Sequence, residues 1–406
     1  MATACVTGRT RTGGPVAPAR GQGHIVRIAL SMSAAHVVLS ATGDWRLEND
    51  GGASMRLHAS DAWPIERDGS FLYAAGSDGD HDASRATAFT ARSAEDGSFI
   101  TVNGQRYRGE VRVVPTERGL LVVNRLPVEE YLRGVVPLEI GGRRSDEFAA
   151  VEAQAVAARS YAYSHMTDTA SRPYDMTSTV MDQAYGGVHA ETQSTDAAVA
   201  ETAGIVLTYG GRIVNAPYHS TCGGRTAAPS EVWNDGHDEP YLVSVSDRIP
   251  GTNRYYCDIS PTFHWTRTYD GGDLAAVLDR YLRAYVTVPG GDVGTVRQVK
   301  IDGTTKSGRV RALTIRTDRG RYTLHENEIR FVMRTRSGVA LHSTSFALKS
   351  EHDSHGRISR LTLTGRGNGH GIGMCQWGAI GRARAGQDYQ TILHTYYPGT
   401  TLGRVD

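Results

Sequence analysis

The sequence predicts an α+β fold, mixed and two-lobed, and three observations carry that expectation. Short runs of alternating apolar residues, parted by Gly, Asp and Ser, recur from His24 to Asn124 and again over 296–343, as half-buried strands joined by turns do. One long run, from about Asp146 to Thr167, repeats its apolar residues at spacings of three and four, the period of a helix. The chain has 406 residues, enough for two or three domains each burying a core without disulfide staples.

Taken in order, the N-terminal Met1-Ala2-Thr3-Ala4-Cys5-Val6-Thr7-Gly8 carries neither a charged n-region nor an apolar h-region, so no complete signal peptide is visible. Ala4-Cys5 followed by a Gly/Pro/Arg-rich stretch resembles the end of a bacterial lipoprotein signal with a flexible tether after it; a solvated start with an incidental cysteine is the alternative. A β-rich region follows over 24–115. Its first strand is His24–Ser31, where Val26, Ile28 and Leu30 alternate, and further strands are expected at 35–40, 55–58, 71–74, 98–102, 110–114 and 120–124. A short helix begins at Leu126-Pro127-Val128. The long central helix has Ser145 as its expected N-cap, Asp146 and Glu147 in its first turn, and Phe148, Val151, Ala155, Ala158 and Ala162 as one apolar stripe.

A second helix is expected over 194–202, then a hairpin of Ile205–Tyr209 and Ile213–Tyr218 about the Gly210-Gly211 turn. Residues 244–262 read as a long irregular loop and 273–287 as a helix. The segment 260–345 reads as an α/β insertion or second lobe within a core of 116–406.

Composition narrows the function. Hydrophobic residues make up 39% and charged residues 21%, which excludes a disordered chain. No apolar run approaches the roughly 18 residues of a membrane span. Basic and acidic residues number 44 and 43, for a net charge of +1, so no dedicated nucleic-acid binder is expected. Four cysteines are too few for a disulfide scaffold, and no C-x-x-C pair marks a zinc ribbon or redox motif.

Three segments collect chemistry. In Gly134-Val135-Val136-Pro137-Leu138-Glu139-Ile140 a lone carboxylate follows an apolar run; such neighbours desolvate it and favour the protonated form a general acid needs, although a glutamate near a helix start also serves as a cap. Tyr218-His219-Ser220-Thr221-Cys222-Gly223-Gly224 gathers hydroxyls, a thiol and an imidazole, either in a ligand-facing loop or in a tight turn at a sheet edge. From Gly365 to Gly373 glycine takes every second position, which in an extended strand leaves one face bare and puts Arg366, Asn368, His370 and Ile372 on the other. Asn368 and His370 are the functional candidates there.

Val135-Val136-Pro137-Leu138-Glu139 and Glu152-Ala153-Gln154-Ala155-Val156-Ala157-Ala158-Arg159-Ser160-Tyr161 together resemble the core of the SpoIID/LytB family of stage II sporulation protein D and amidase-enhancer proteins. Asp182-Gln183-Ala184-Tyr185-Gly186-Gly187, the His219–Thr226 loop and the Gly367–Ala379 segment are similar to its later signatures, in the same order, so the resemblance covers about residues 110–245 and 360–400. It implies an exported bacterial cell-envelope protein acting on peptidoglycan, as a lytic transglycosylase of glycan strands stripped of stem peptides or as a non-catalytic module that stimulates an N-acetylmuramoyl-L-alanine amidase. It puts the catalytic acid at Glu139 and the sugar-binding groups at Gln154, Arg159, Tyr161, Gln183, Tyr185, Ser220, Asn368, His370 and Gln376. No cofactor is required by this chemistry.

Some members hold zinc near the His219 loop, which implies a structural zinc on His219, Cys222, Cys257 and His264 or His370. A Cys222–Cys257 disulfide is the favoured reading for an exported chain, and free thiols are the third. Cys375 has no evident partner and reads as a small buried hydrophobe.

Overall fold

A computed structural model describes residues 24–74, 84–166, 172–234 and 236–405; Cys5 and the tether lie outside them. The α+β expectation holds, with short strands in several sheets and seven α-helices among the described residues. No described helix is long and apolar enough to cross a membrane. The chain forms two units, one ending at Asn215 and taking in the residues from Leu402 onward, the other Ala216–Thr401.

In the first unit, Ile25–Ala34 runs antiparallel to Gly119–Pro127, with Ile28 opposite Asn124, and Glu110–Thr116 flanks the other side of Gly119–Pro127. These strands belong to a seven-stranded sheet. A six-stranded sheet holds Val37–Ala41, Trp63–Asp68, Phe71–Ala74, Ser84–Ala86, Ile100–Val102 and Gln105–Tyr107. Residues of period two from both sheets meet in one core, Trp45, Val111, Val113 and Val122 from the first and Leu39, Ile65, Leu72 and Ile100 from the second.

Pro127 closes the Gly119–Pro127 strand and caps helix α1, Val128–Glu139, whose first turn carries Glu129 and Glu130. Pro137 lies inside the last turn, and Gly141 takes φ +75° just past the end, so the helix stops with Glu139 as its final residue.

The helix expected from Asp146 opens instead as a 3₁₀ turn, Ser145–Glu147, and continues as α2, Phe148–His165. It has no single apolar stripe: Ala150, Val151, Ala153, Gln154, Val156 and Ala157 are all buried, because alanine lets neighbours close in on every side. α3, Gln193–Glu201, is capped by Thr192. The hairpin strand expected over 213–218 is broken into Arg212–Ile213 and Tyr218–His219, with Pro217 supplying no N–H between them.

The second unit contains two three-stranded sheets, Phe346–His352, Ile358–Arg366 and His264–Asp270 in one and Val296–Ile301, Ala312–Thr317 and Arg321–His325 in the other. Helices α4 (Gly271–Tyr281, capped by Asp270) and α5 (Glu328–Val332) share their core, in which Leu278, Leu313, Ile315, Leu361 and Leu363 are buried. α6 (Gln376–Arg384) and α7 (Tyr389–Tyr396) follow.

The alternating glycines do not form an extended strand. The Ile358–Arg366 strand takes in only the first of them, Gly365, and Gly367, Gly369, Gly371 and Gly373 all have positive φ, between 68° and 108°, a region L-residues avoid. Their bareness does mark close approach: a Cβ would meet Thr221 O at Gly367, His219 Cβ at Gly369 and Pro217 O at Gly373. The segment is a chain of left-handed turns laid against residues 217–223.

Candidate functional site

In the first unit, the end of α1 holds the predicted acid. Glu139 is half-buried, and its Oε1 accepts the Ala184 N–H at 2.8 Å. Leu138 beside it is exposed, as are Val180 and Met181 in the loop that precedes Asp182. That loop is pinned: Asp182 Oδ2 accepts from the Thr177 N–H at 2.8 Å and the Thr177 hydroxyl at 2.7 Å, and Gly186 N–H donates to Gly134 O at 3.1 Å. Burial, with the charges of Asp182 and Glu139, keeps the Tyr161 phenol protonated well above its usual range. One half-buried carboxyl, one fixed carboxylate and one neutral phenol thus lie within electrostatic reach of each other.

The other predicted groups of this unit are framework. Gln154 is fully buried within α2. The Gln183 side chain is fully buried, donating to Ala158 O at 3.2 Å and accepting from the Tyr131 hydroxyl at 3.2 Å. Tyr185 donates to Asn124 Oδ1 at 2.8 Å, and the Asn124 amide in turn donates to Arg108 O and Glu110 O. This carries the sheet's geometry into the loop beside Glu139. Arg159, without exposed surface, makes a two-pronged ion pair with Glu129 at 2.7 and 2.8 Å and also donates to Val199 O and Ile205 O.

Close packing fixes α1 against the same loop. A Cβ on Gly134 would lie 2.6 Å from Tyr185 Cε2 and 3.0 Å from Gly187 O. Gly134→Ala gains about 1 kcal/mol of helix propensity, but forcing the buried ring aside costs typically about 1–3 kcal/mol. The expected result is a net loss of up to about 2 kcal/mol in urea unfolding; a stabilised variant would show that α1 moves freely off the tyrosine.

In the second unit, Tyr218–His219 pairs in parallel with Met374–Cys375, and Thr221 bridges Asn368. Ser220 and Asn368 are half-buried and Gln376 is buried. His370 donates from Nε2 to Tyr218 O at 2.8 Å and accepts the Ile372 N–H on Nδ1 at 3.1 Å. Both ring nitrogens are therefore taken, and burial beside His219 and Arg330 pulls this imidazole well below its usual range. His219 donates from Nδ1 to Ile372 O at 3.0 Å.

The expected ligand set of His219, Cys222, Cys257 and His264 or His370 does not assemble. His370 has no free nitrogen, and the exposed His264 packs edge-on to Phe263. Nor are Cys222 and Cys257 bonded to each other: both are free, with sulfurs 3.4 Å apart. Cys375, expected to be a plain hydrophobe, lies with them, because the Gly367–Gly373 turns carry the chain back against the Cys222 loop. Asp247, from the irregular loop, completes the group, and burial against Cys222 pushes its carboxyl up to about 7.

Sequence reasoning missed three participants. Asp182 stands at the head of the Asp182–Gly187 motif and was legible there; Asp247 and the Cys375 pairing bear no local signal.

Residues 116–209 match the family model described as Stage II sporulation protein, and residues 251–373 match a domain of unknown function. The chain is 31% identical over 304 residues to an uncharacterized protein of Brachyspira hyodysenteriae, covering 75% of this chain and 74% of that protein. It is 31% identical over 297 residues to the Amidase enhancer of Bacillus subtilis, covering 67% of this chain but only 40% of that protein. To the Stage II sporulation protein D of Bacillus subtilis it is 30% identical over 300 residues, covering 70% of this chain and 76% of that protein.

Proposed function

This chain belongs to the stage II sporulation protein D family, and on that premise we propose that it is a lytic transglycosylase of peptidoglycan glycan strands with Glu139 as general acid and base. A peptidoglycan-related role follows from the family and the relatives; the cleavage is our reading. The observation that carries it is Glu139 itself, half-buried at the end of α1 and held by the Ala184 amide beside an exposed apolar loop.

The chemistry suits one carboxylate. The Glu139 carboxyl gives its proton to the glycosidic oxygen as the bond from the muramoyl C1 breaks. The oxocarbenium-like centre is then attacked by the muramoyl 6-hydroxyl, whose proton returns to Glu139. The substrate supplies the nucleophile, so the second carboxylate of an ordinary glycosidase is not needed. Peptide-free strands expose the hydroxyls that Tyr161 and Asp182 can meet, and such a substrate puts the chain in the cell envelope.

The test is to incubate the purified chain with peptide-free glycan strands and identify the products by mass spectrometry. Products ending in 1,6-anhydro-N-acetylmuramic acid are the expected result. Ordinary reducing ends would mean hydrolysis, and Asp182 would be the carboxylate to examine. Similarity to an amidase enhancer favours one other reading, a binding module that stimulates an amidase. Co-sedimentation with the strands and no new ends would establish that reading in place of cleavage.

A further inference from the structure

We propose that the groove between the two three-stranded sheets of the second unit is a docking site for an acidic, extended peptide segment, which it takes up as an added strand. The groove has a volume of about 890 Å³, within the range of ligand pockets. Its walls are the strands Val296–Ile301 and Phe346–His352, and each stands at the edge of its sheet. An edge strand presents a row of N–H and C=O groups with no neighbouring strand to pair with. Docking here does not depend on cleavage at Glu139.

The lining shows which side of the strand meets the groove. Arg297, Gln298, Val299, Lys300 and Ile301 all line it. A sheet face shows only every second residue, so five consecutive residues share one groove only where it runs along the strand's edge. The facing wall offers Ala347 and Leu348, again consecutive. One end is closed. The pairing of Val296–Ile301 with Ala312–Thr317 slips at Arg297, so that Val296 faces Thr317 and Gln298 faces Arg316. The bulged Arg297 joins the walls: its carbonyl accepts from His352 Nε2 at 3.2 Å, and its guanidinium donates to His355 O at 2.6 Å. That leaves Gln298–Ile301 as the stretch open to a partner, and a strand laid along it sits about 4.8 Å away.

The side chains beside that edge state what the partner carries. On the inner side Val299 is buried, and Ile301 and Leu348 pack half-buried against the core. On the outer side Lys300 is exposed, as is Arg316 directly across from Gln298. The ion pairs of this sheet join Lys300 and Arg321 to Asp302 and Arg319 to Asp292, and none among the described residues engages Arg316. The Lys300 pair is itself exposed and exchanges partners at little cost. Asp318 also lines the groove, with Oδ1 accepting the Thr295 N–H at 2.8 Å. A partner strand alternates its side chains as this one does, so it sets carboxylates beside Lys300 and Arg316 and apolar groups beside Val299, Ile301 and Leu348. A second copy of the chain fits less well, because two such edges would meet cation to cation, the means by which edge strands avoid pairing with themselves.

The experiment uses the full chain and a fluorescently labelled hexapeptide that alternates glutamate and valine, with both ends blocked. Anisotropy should show saturable binding that weakens as salt rises, and hydrogen exchange should slow over residues 296–301. Arg316→Glu, at an exposed position without an ion pair, should keep the fold and lower the affinity about tenfold or more. Independently of any variant, the same peptide methylated on alternate amide nitrogens should lose binding, because it cannot complete the ladder, and a lysine–valine peptide should not bind. Absence of saturable binding, equal binding of the methylated or the lysine peptide, or exchange protection elsewhere overturns the proposal. A short phosphodiester polymer that binds where the peptide does not also overturns it and assigns the cations to a polyanion. A dimer that protects residues 296–301 without peptide overturns it in favour of a second copy.

Discussion

Glu139→Gln is expected to lower release of anhydro-muramoyl ends by about 10²–10⁴-fold, the span a positioned general acid contributes, while the protein stays folded. Folding should survive because the amide oxygen of glutamine accepts the Ala184 N–H as Glu139 Oε1 does at 2.8 Å. Activity should not survive, because the amide cannot deliver a proton. Asp182 is already engaged: its Oδ2 takes both the amide and the hydroxyl of Thr177. The measurement is the initial rate of anhydro-product formation from peptide-free strands, beside the thermal midpoint. A variant within tenfold of wild type and equally stable would remove Glu139 from the chemistry, and Asp182→Asn would be the next substitution to measure.

What could be read from the sequence follows the range over which each signal acts. Phe71–Ala74 and Ile205–Tyr209 fall where alternation and turn residues put them, because period-two burial is written in four or five adjacent residues. α2 was found from its spacing, but its single stripe was not, since an alanine-rich helix is buried on nearly every side. The Gly365–Gly373 pattern has two physical readings, the bare face of a strand or a succession of left-handed turns, and spacing alone does not choose. The choice depends on Pro217, Thr221 and His219 lying against those glycines, residues about 150 positions earlier in the chain. Glu139 stood out through its motif, but its place as the last residue of α1 depends on where that helix stops. The grouping of Cys222, Asp247, Cys257 and Cys375 was not legible, because no spacing rule connects side chains drawn from a strand end, a loop, a 3₁₀ turn and a helix cap.

Glu129→Ala is expected to destabilise the protein by about 3 kcal/mol, which at roughly 2–4 °C per kcal/mol lowers the thermal midpoint by about 6–12 °C. The substitution leaves the fully buried Arg159 guanidinium without its carboxylate, and an uncompensated buried charge typically costs about 3–5 kcal/mol. The lower end applies for two reasons. Glu129 is 40% exposed, so water screens part of the pair, and the Val199 and Ile205 carbonyls still accept from Arg159. Removing both partners in Glu129→Ala/Arg159→Met takes the stranded charge away. The double variant should therefore lose less than the sum of the singles, with a coupling above about 1 kcal/mol. This cycle also decides what Arg159 does. As a sugar-binding residue, Arg159→Met would weaken glycan binding and leave the melting point in place. As the anchor between α2 and the first turn of α1, it should lower the melting point and reach Glu139 only through the helix, whose last residue lies ten positions, or about 15 Å, beyond Glu129. An unchanged midpoint in Glu129→Ala would return Arg159 to the glycan groove.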